Sequence, residues 1–369
     1  MARSVVRLAV IVMVVAPAVA VAQAADGPEW GGTWQSGPTT GFNLTRLDGA
    51  YVASTGLVYF LGGRLDTNTL GNIWTFNPAT GTYADTGVVM PTPISNYTVN
   101  VLNDASGTGL YVFCGRDAAA GQTFAVQAFY PATNTAVQLP PADNYPGPTS
   151  CSSALNVVVN NKVYVAGGFN GTANSVQTWV FDPMAASGSR WTRLTNADLA
   201  QGRAYIMGAV VDGLIYAIGG AYWDGVSALI NVNTVQVLDP AAATPTWTTL
   251  APLPQECSSS RAWGFDTTSL YVDPSDTTPL AGKIISGCGY WSDENNLVFA
   301  YTVATNSWEA FPSLQIDRRD MAGEFLPLAS APALWIWGGR SGSDTTPTQT
   351  SEYYSLELIP VELQSFTIE

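Results

Sequence analysis

The sequence predicts an all-β protein, a six-bladed β-propeller, and three observations carry that prediction. A strand motif ending in a glycine pair recurs six times at near-constant spacing. Each copy leads into further strand-like segments and a turn, most often marked by proline. Charged residues make up only 11% of the chain, Gly (35) and Pro (23) are plentiful, and no stretch sustains a 3.6-residue apolar period. That is the profile of short strands joined by tight turns.

The motif is clearest at Leu57 to Gly63 (LVYFLGG) and returns at Leu110 to Gly115, Val163 to Gly168, Leu214 to Gly220, Lys283 to Cys288 and Leu334 to Gly339. Between the second members of the pairs the intervals are 52, 53, 52, 68 and 51 residues. The long interval contains Asp273 to Gly282, a loop insertion by composition. A third strand then ends in an Asn-Pro or Asp-Pro type turn at Pro78, Pro131, Pro183 and Pro240, because proline cannot donate to a sheet ladder. An aromatic usually opens the fourth strand: Tyr83, Trp191, Trp247 and Trp308.

This arrangement resembles the kelch repeat family, with its apolar strand, glycine pair and late tryptophan. The spacings from Tyr301 to Trp308 and from Phe76 to Tyr83 match that family's aromatic-x6-Trp pattern, and the resemblance spans nearly all of residues 25–358. Cys114 and Cys288 each replace a glycine, Val137 replaces one late aromatic, and the third and fourth units carry longer turns. The resemblance implies interaction roles without fixing a ligand, since one fold hosts many functions.

The sixth unit runs out after Leu358 with no closing tryptophan strand, whereas Gly32 to Gln35 supplies an orphan one around Trp34. That N-terminal strand is expected to complete the last blade, because an open ring exposes unpaired edges. Residues 359–369 are then a tail or an extra edge strand. Residues 1–24 read as a secretory signal: Arg3 and Arg7, an apolar run from Leu8 to Ala16, Pro17, and small residues up to Ala24. The run is too short to span a bilayer comfortably. The expected mature protein is secreted, extracellular or periplasmic, monomeric and not inserted in a membrane.

Removing Arg3 and Arg7 from 14 basic residues leaves 12 against 28 acidic ones, a net charge of −16. Such a charge repels phosphate backbones, so nucleic acid is not an expected partner. The four cysteines of an exported chain suggest disulfides. Blade positions favour Cys114 with Cys151 and Cys257 with Cys288, each pairing the end of a second strand with the start of a first.

No histidine is present, which excludes Ser-His-Asp and Cys-His nucleophile systems and His-based metal sites. The Asp-box of sialidase propellers is missing too. Asp66 and Asp224 read as turn residues rather than calcium ligands. No cofactor or metal is expected, and any acid/base chemistry would fall to carboxylates or tyrosines.

Arginine is scarce, and eight of the ten downstream of the signal map to one propeller face. Arg46, Arg203, Arg261, Arg318 and Arg319 precede or open a first strand, while Arg64, Arg116 and Arg340 follow a glycine pair. Their guanidiniums either brace loops or form a cationic mouth for a carboxylate or sulfate. Tyr222, Trp223, Trp263, Tyr290 and Trp291 sit in the same loops, as a sugar-stacking or peptide-anchoring surface requires. The expected function is a non-catalytic recognition module for a carbohydrate, acidic sugars included, or a partner protein. The alternatives are a carbohydrate-active enzyme using Asp317, Asp320, Glu324 or Glu256, and a structural envelope component.

Overall fold

The computed structural model describes Trp30 and residues 32–65, 68–119, 121–254, 270–272, 280–287, 296–326, 333–341 and 348–355. Six four-stranded antiparallel sheets follow one another as blades. From the inner strand outward, blade one is Gly49–Val52, Leu57–Leu65, Asn68–Asn77 and Thr82–Val89. Blade two is Val99–Asp104, Gly107–Phe113, Val126–Tyr130 and Thr135–Gln138. Blade three is Leu155–Val159, Lys162–Ala166, Thr178–Phe181 and Trp191–Arg193. Blade four is Met207–Val211, Leu214–Ile218, Val235–Leu238 and Trp247–Thr249. Blade five is Leu270–Val272, Lys283–Gly287, Val298–Thr302 and Ser307–Phe311.

Blade six takes Ala322–Leu326, Ala333–Trp337 and Ser351–Ser355 from the C-terminal part of the chain, and its fourth strand, Gln35–Ser36, from the N-terminal part. Gln35 pairs with Tyr353 and Ser36 with Glu352, so the closure expected from the orphan Trp34 segment is what forms. The segments read as a signal and as a tail lie outside the described residues. Among the described residues no helix is long and apolar enough to cross a membrane.

The blades are tied at two radii. On the rim, the late aromatic of a blade donates to a carbonyl in the segment leaving the preceding blade. Trp191 Nε1 reaches Asp143 O at 2.8 Å, Trp247 Nε1 reaches Ala197 O at 3.1 Å, and Trp308 Nε1 reaches Ala251 O at 3.1 Å. Trp34 Nε1 reaches Pro312 O at 2.8 Å, and the Tyr83 hydroxyl reaches Pro38 O at 3.3 Å. A buried indole needs such a partner, which explains why tryptophan recurs there. Blade two has Val137 instead, and Asn134 Nδ2 bonds Thr86 O of blade one at 3.2 Å.

Near the axis, one left-handed residue in each described inner loop, from blade six through blades one to four, forms a chain of backbone bonds from blade to blade. Arg46 N–H donates to Asp320 O (2.9 Å), Asn96 to Arg46 O (3.2 Å), Ser153 to Asn96 O (3.0 Å) and Tyr205 to Ser153 O (2.6 Å). Their φ values run from 51° to 58°. The glycine pairs exist because these loops pack onto them. A Cβ on Gly168 (φ 111°) would meet Ser150 O at 2.7 Å, and one on Gly338 (φ 63°) would meet Leu44 O at 2.7 Å.

The Cys114–Cys151 bridge is present, joining blade two to blade three across 37 residues, a loop whose closure stabilises the fold by about 4 kcal/mol on chain entropy. Cys257 and Cys288 lie outside the described residues. Between blades the faces bury aromatic and aliphatic side chains, as at Phe60, Phe76 and Trp337 between blades one and six.

Candidate functional site

In the blades whose loops are described, the loop entering the inner strand pairs with the loop after the glycine pair, and this pairing draws distant arginines together. Thr45 bridges to Arg64, Arg319 to Arg340, and Ser95 pairs with Arg116. Blades six, one and two are neighbours in the ring, so Arg319, Arg340, Arg46, Arg64 and Arg116 share one half of the loop face.

Most of these guanidiniums are used by the protein itself. Asp320, fully buried, faces Arg46 Nε at 3.7 Å, Arg319 Nη1 at 3.3 Å and Arg340 Nε at 3.8 Å. Burial, reinforced by Arg46, pushes the Arg340 guanidinium down to about 10 even though Asp320 opposes the shift. Arg64, half-buried, is also lowered, by burial and then by Arg46 and Arg116. The cluster is a knot of guanidiniums gathered on the Asp320 carboxylate.

Arg203 and Arg318, expected on the face, are withdrawn from it, and their exposure is 0%. They occupy the same register in blades four and six. Arg318 Nη2 pairs with buried Glu352 at 2.5 Å and Nη1 bonds Gly338 O at 2.9 Å. Arg203 Nη1 bonds Gln236 Oε1 at 2.9 Å, and burial pushes the guanidinium down to about 10. Both are braces between the inner loop and the third strand, so neither reaches a ligand on this face.

Beside the knot, on blades two to four, lies a cavity of about 540 Å³. Blade two contributes Asn96, Arg116, Gln122 and Phe124, blade three contributes Ser152, Phe169 and Asn170, and blade four contributes Tyr205. Arg46 Nη1 bonds Asn96 Oδ1 at 3.4 Å, which joins the knot to the cavity wall. Half-buried Arg116 makes no side-chain hydrogen bond or ion pair among the described residues, and Gln122 Oε1 is buried without a partner. Trp223, half-buried on the hairpin Ala221–Trp223/Leu229–Asn231 of blade four, backs this wall: its ring lies 6.3 Å from that of Phe169, and its N–H donates to Asn174 Oδ1 at 2.6 Å. Tyr222 is half-buried on the same hairpin.

The structure therefore gathers Arg46, Arg64 and Arg340, places Trp223 behind the cavity, and sets Arg203 and Arg318 inside the blades. Arg261, Trp263, Tyr290 and Trp291 lie outside the described residues. Asn96, Gln122, Phe124, Ser152, Phe169, Asn170 and Tyr205 carry no motif in the sequence. The signal that could find several of them is their offset from a glycine pair, as Phe169 follows Gly168 where Arg64 follows Gly63. Of the carboxylates considered for catalysis, Asp317 is exposed, Asp320 is held in the knot, and Glu256 lies outside the described residues. Glu324 accepts the Tyr51 N–H across the channel wall at 3.3 Å, and enclosure followed by repulsion from Asp48 pushes it up to about 8.

The profile of the KLHDC2/KLHL20/DRC7 kelch-repeats domain matches residues 48–271. No curated protein matches the chain in sequence. Among solved structures, that of YjhT superimposes with a TM-score of 0.60 at 17% identity, over 85% of this chain and 95% of that one. The likeness in structure shows the fold alone, whereas the profile covers more than half of the sequence: the chain belongs to the kelch-repeat family.

Proposed function

We propose that the protein is an exported, non-catalytic recognition module that holds an anionic ligand, a carbohydrate bearing a carboxylate, in the cavity of blades two to four. A kelch propeller is a binding module for a protein or ligand, and the arrangement of this cavity favours a small acidic one. The observation that carries the reading is Arg116: a half-buried guanidinium on the cavity wall with no counter-charge among the described residues. A carboxylate meets that group with charge-assisted hydrogen bonds. Amide and hydroxyl groups of Gln122, Asn170 and Ser152 match sugar hydroxyls, and the rings of Phe169 and Phe124 offer an apolar wall. The described lining contains no carboxylate, so an acid/base pair for turnover is not gathered there.

Titrating galacturonate and galactose into the protein by calorimetry tests this. Binding of the uronate, weakening as salt rises, with none of the neutral sugar, is the expected result. Equal affinity for both sugars, or no heat with either, would overturn the reading.

A further inference from the structure

We propose that the Cys114–Cys151 bridge assembles the cavity, so that the protein holds its anionic ligand only when the bridge is formed; this rests on the reading of the cavity just given. Neither cysteine stands where the repeat would put one. Cys114 occupies the first glycine position of blade two in the left-handed conformation, φ 57°, where Gly62, Gly167, Gly219 and Gly338 have φ from 59° to 82°. A side chain in that conformation is unfavourable, and the bridge is what offsets it at this one blade. Cys151 stands two residues before the left-handed residue of its loop, the place held by Leu44 and Ile94 in blades one and two.

The bridge joins the two segments that carry cavity-lining residues of blades two and three. Arg116 follows Cys114 by two residues, Ser152 follows Cys151 by one, and both line the cavity. The blade-two loop that carries Arg116, Gln122 and Phe124 leaves the sheet at Cys114, whose N–H bonds Ala125 O at 2.9 Å where the loop returns. Beside the disulfide, this side of the junction is tied by neutral hydrogen bonds: Ser150 Oγ to Thr123 O (2.8 Å), Ser152 Oγ to Asn96 O (3.3 Å) and Ser153 N to Asn96 O (3.0 Å). Among the described residues, only the disulfide fixes the guanidinium wall of blade two to the hydroxyl wall of blade three covalently. A polar site loses affinity when such a support is loosened.

Both cysteines have 0% exposure, so the bridge resists attack by a thiolate until the junction opens. Reduction would take two electrons and two protons from a dithiol, which becomes a disulfide while Cys114 and Cys151 become thiols. Disulfides form in oxidising compartments, so a chain exported by the segment 1–24 would gain its binding site on leaving the cell and keep it.

The variant Cys114→Gly/Cys151→Leu puts at the first position the glycine that blades one, three, four and six use and at the second the leucine of blade one, so an apolar side chain still fills the core. With its circular dichroism and hydrodynamic size unchanged, it is expected to bind galacturonate at least about tenfold more weakly than the oxidised protein. Amide exchange should be faster only in residues 115–124 and 150–153. Binding within about twofold of the oxidised protein would overturn the proposal. If the oxidised protein itself does not bind galacturonate, the reading of the cavity fails, and the exchange arm alone decides: local acceleration supports assembly by the bridge, and unchanged exchange overturns it. Should the variant fail to fold, the wild-type protein treated with a phosphine until alkylation and mass spectrometry show Cys114 and Cys151 as thiols gives the same two readouts: weaker binding with local acceleration supports the proposal, and unchanged binding or exchange in the verified dithiol overturns it.

Discussion

Two groups of arginines lie on neighbouring parts of the same propeller face, and they are used in opposite ways. Arg46, Arg319 and Arg340 are buried and gathered on the carboxylate of Asp320. Arg116, on the neighbouring blade, is half-buried and faces a cavity with no carboxylate in its described lining. A guanidinium already engaged by an internal carboxylate fixes loops. One left on a cavity wall has its donors available for something that arrives. The same contrast repeats inside the blades, where Arg318 pairs with Glu352 while Arg203 in the same register meets, among the described residues, the neutral amide of Gln236.

Removing the centre of the paired group should have the largest effect. Asp320→Ala removes the buried carboxylate that three buried guanidiniums share and is expected to lower stability by about 3–5 kcal/mol in denaturant melts. A loss below about 1 kcal/mol would mean that the knot is not organised by Asp320. Glu352→Gln gives Arg318 the neutral amide partner that Arg203 has in blade four, and its expected cost is smaller, about 2 kcal/mol, because an ion pair is lost and the Gln315 N–H no longer meets a carboxylate. If it costs nothing, the two registers are equivalent and the blade-six charge is idle.

A third prediction concerns pH. Asp48, which accepts the Val99 N–H at 2.8 Å, is pushed up to about 7 by burial, and Glu324 to about 8. In the unfolded chain both ionise near their ordinary values of 3.8 and 4.5. Between those limits the folded state holds more protons than the unfolded one, so stability falls as pH rises and this contribution is gone above about 8. The melting temperature should be lower at pH 9 than at pH 6, and Glu324→Gln should flatten that slope. A wild-type slope that survives the substitution unchanged would assign it to other groups.

How far the sequence leads follows from the same contrast. The six repeats, the closing Trp34 segment and the Cys114–Cys151 pairing are all legible, because a glycine pair, an unpaired tryptophan and two blade positions each have local consequences. The convergence of Arg46, Arg64 and Arg340 is legible too, from their offsets to the glycine pairs. Which arginines remain available is not, since it depends on Asp320, Glu352 and Gln236 meeting them through the fold. The cavity is equally hidden. Asn96, Ser152 and Tyr205 are single residues from three blades, brought together by a chain of left-handed loop residues that no local pattern announces.

The most direct test of the account is Arg116→Ala, followed by thermal melting and by calorimetric titration with galacturonate. Because Arg116 makes no internal ion pair among the described residues, its stability should stay within about 0.5 kcal/mol of wild type, while affinity falls by about tenfold to a hundredfold. Unchanged affinity, or a destabilisation as large as that of Asp320→Ala, would contradict it: Arg116 would then be one more brace, and the cavity would not be the binding site.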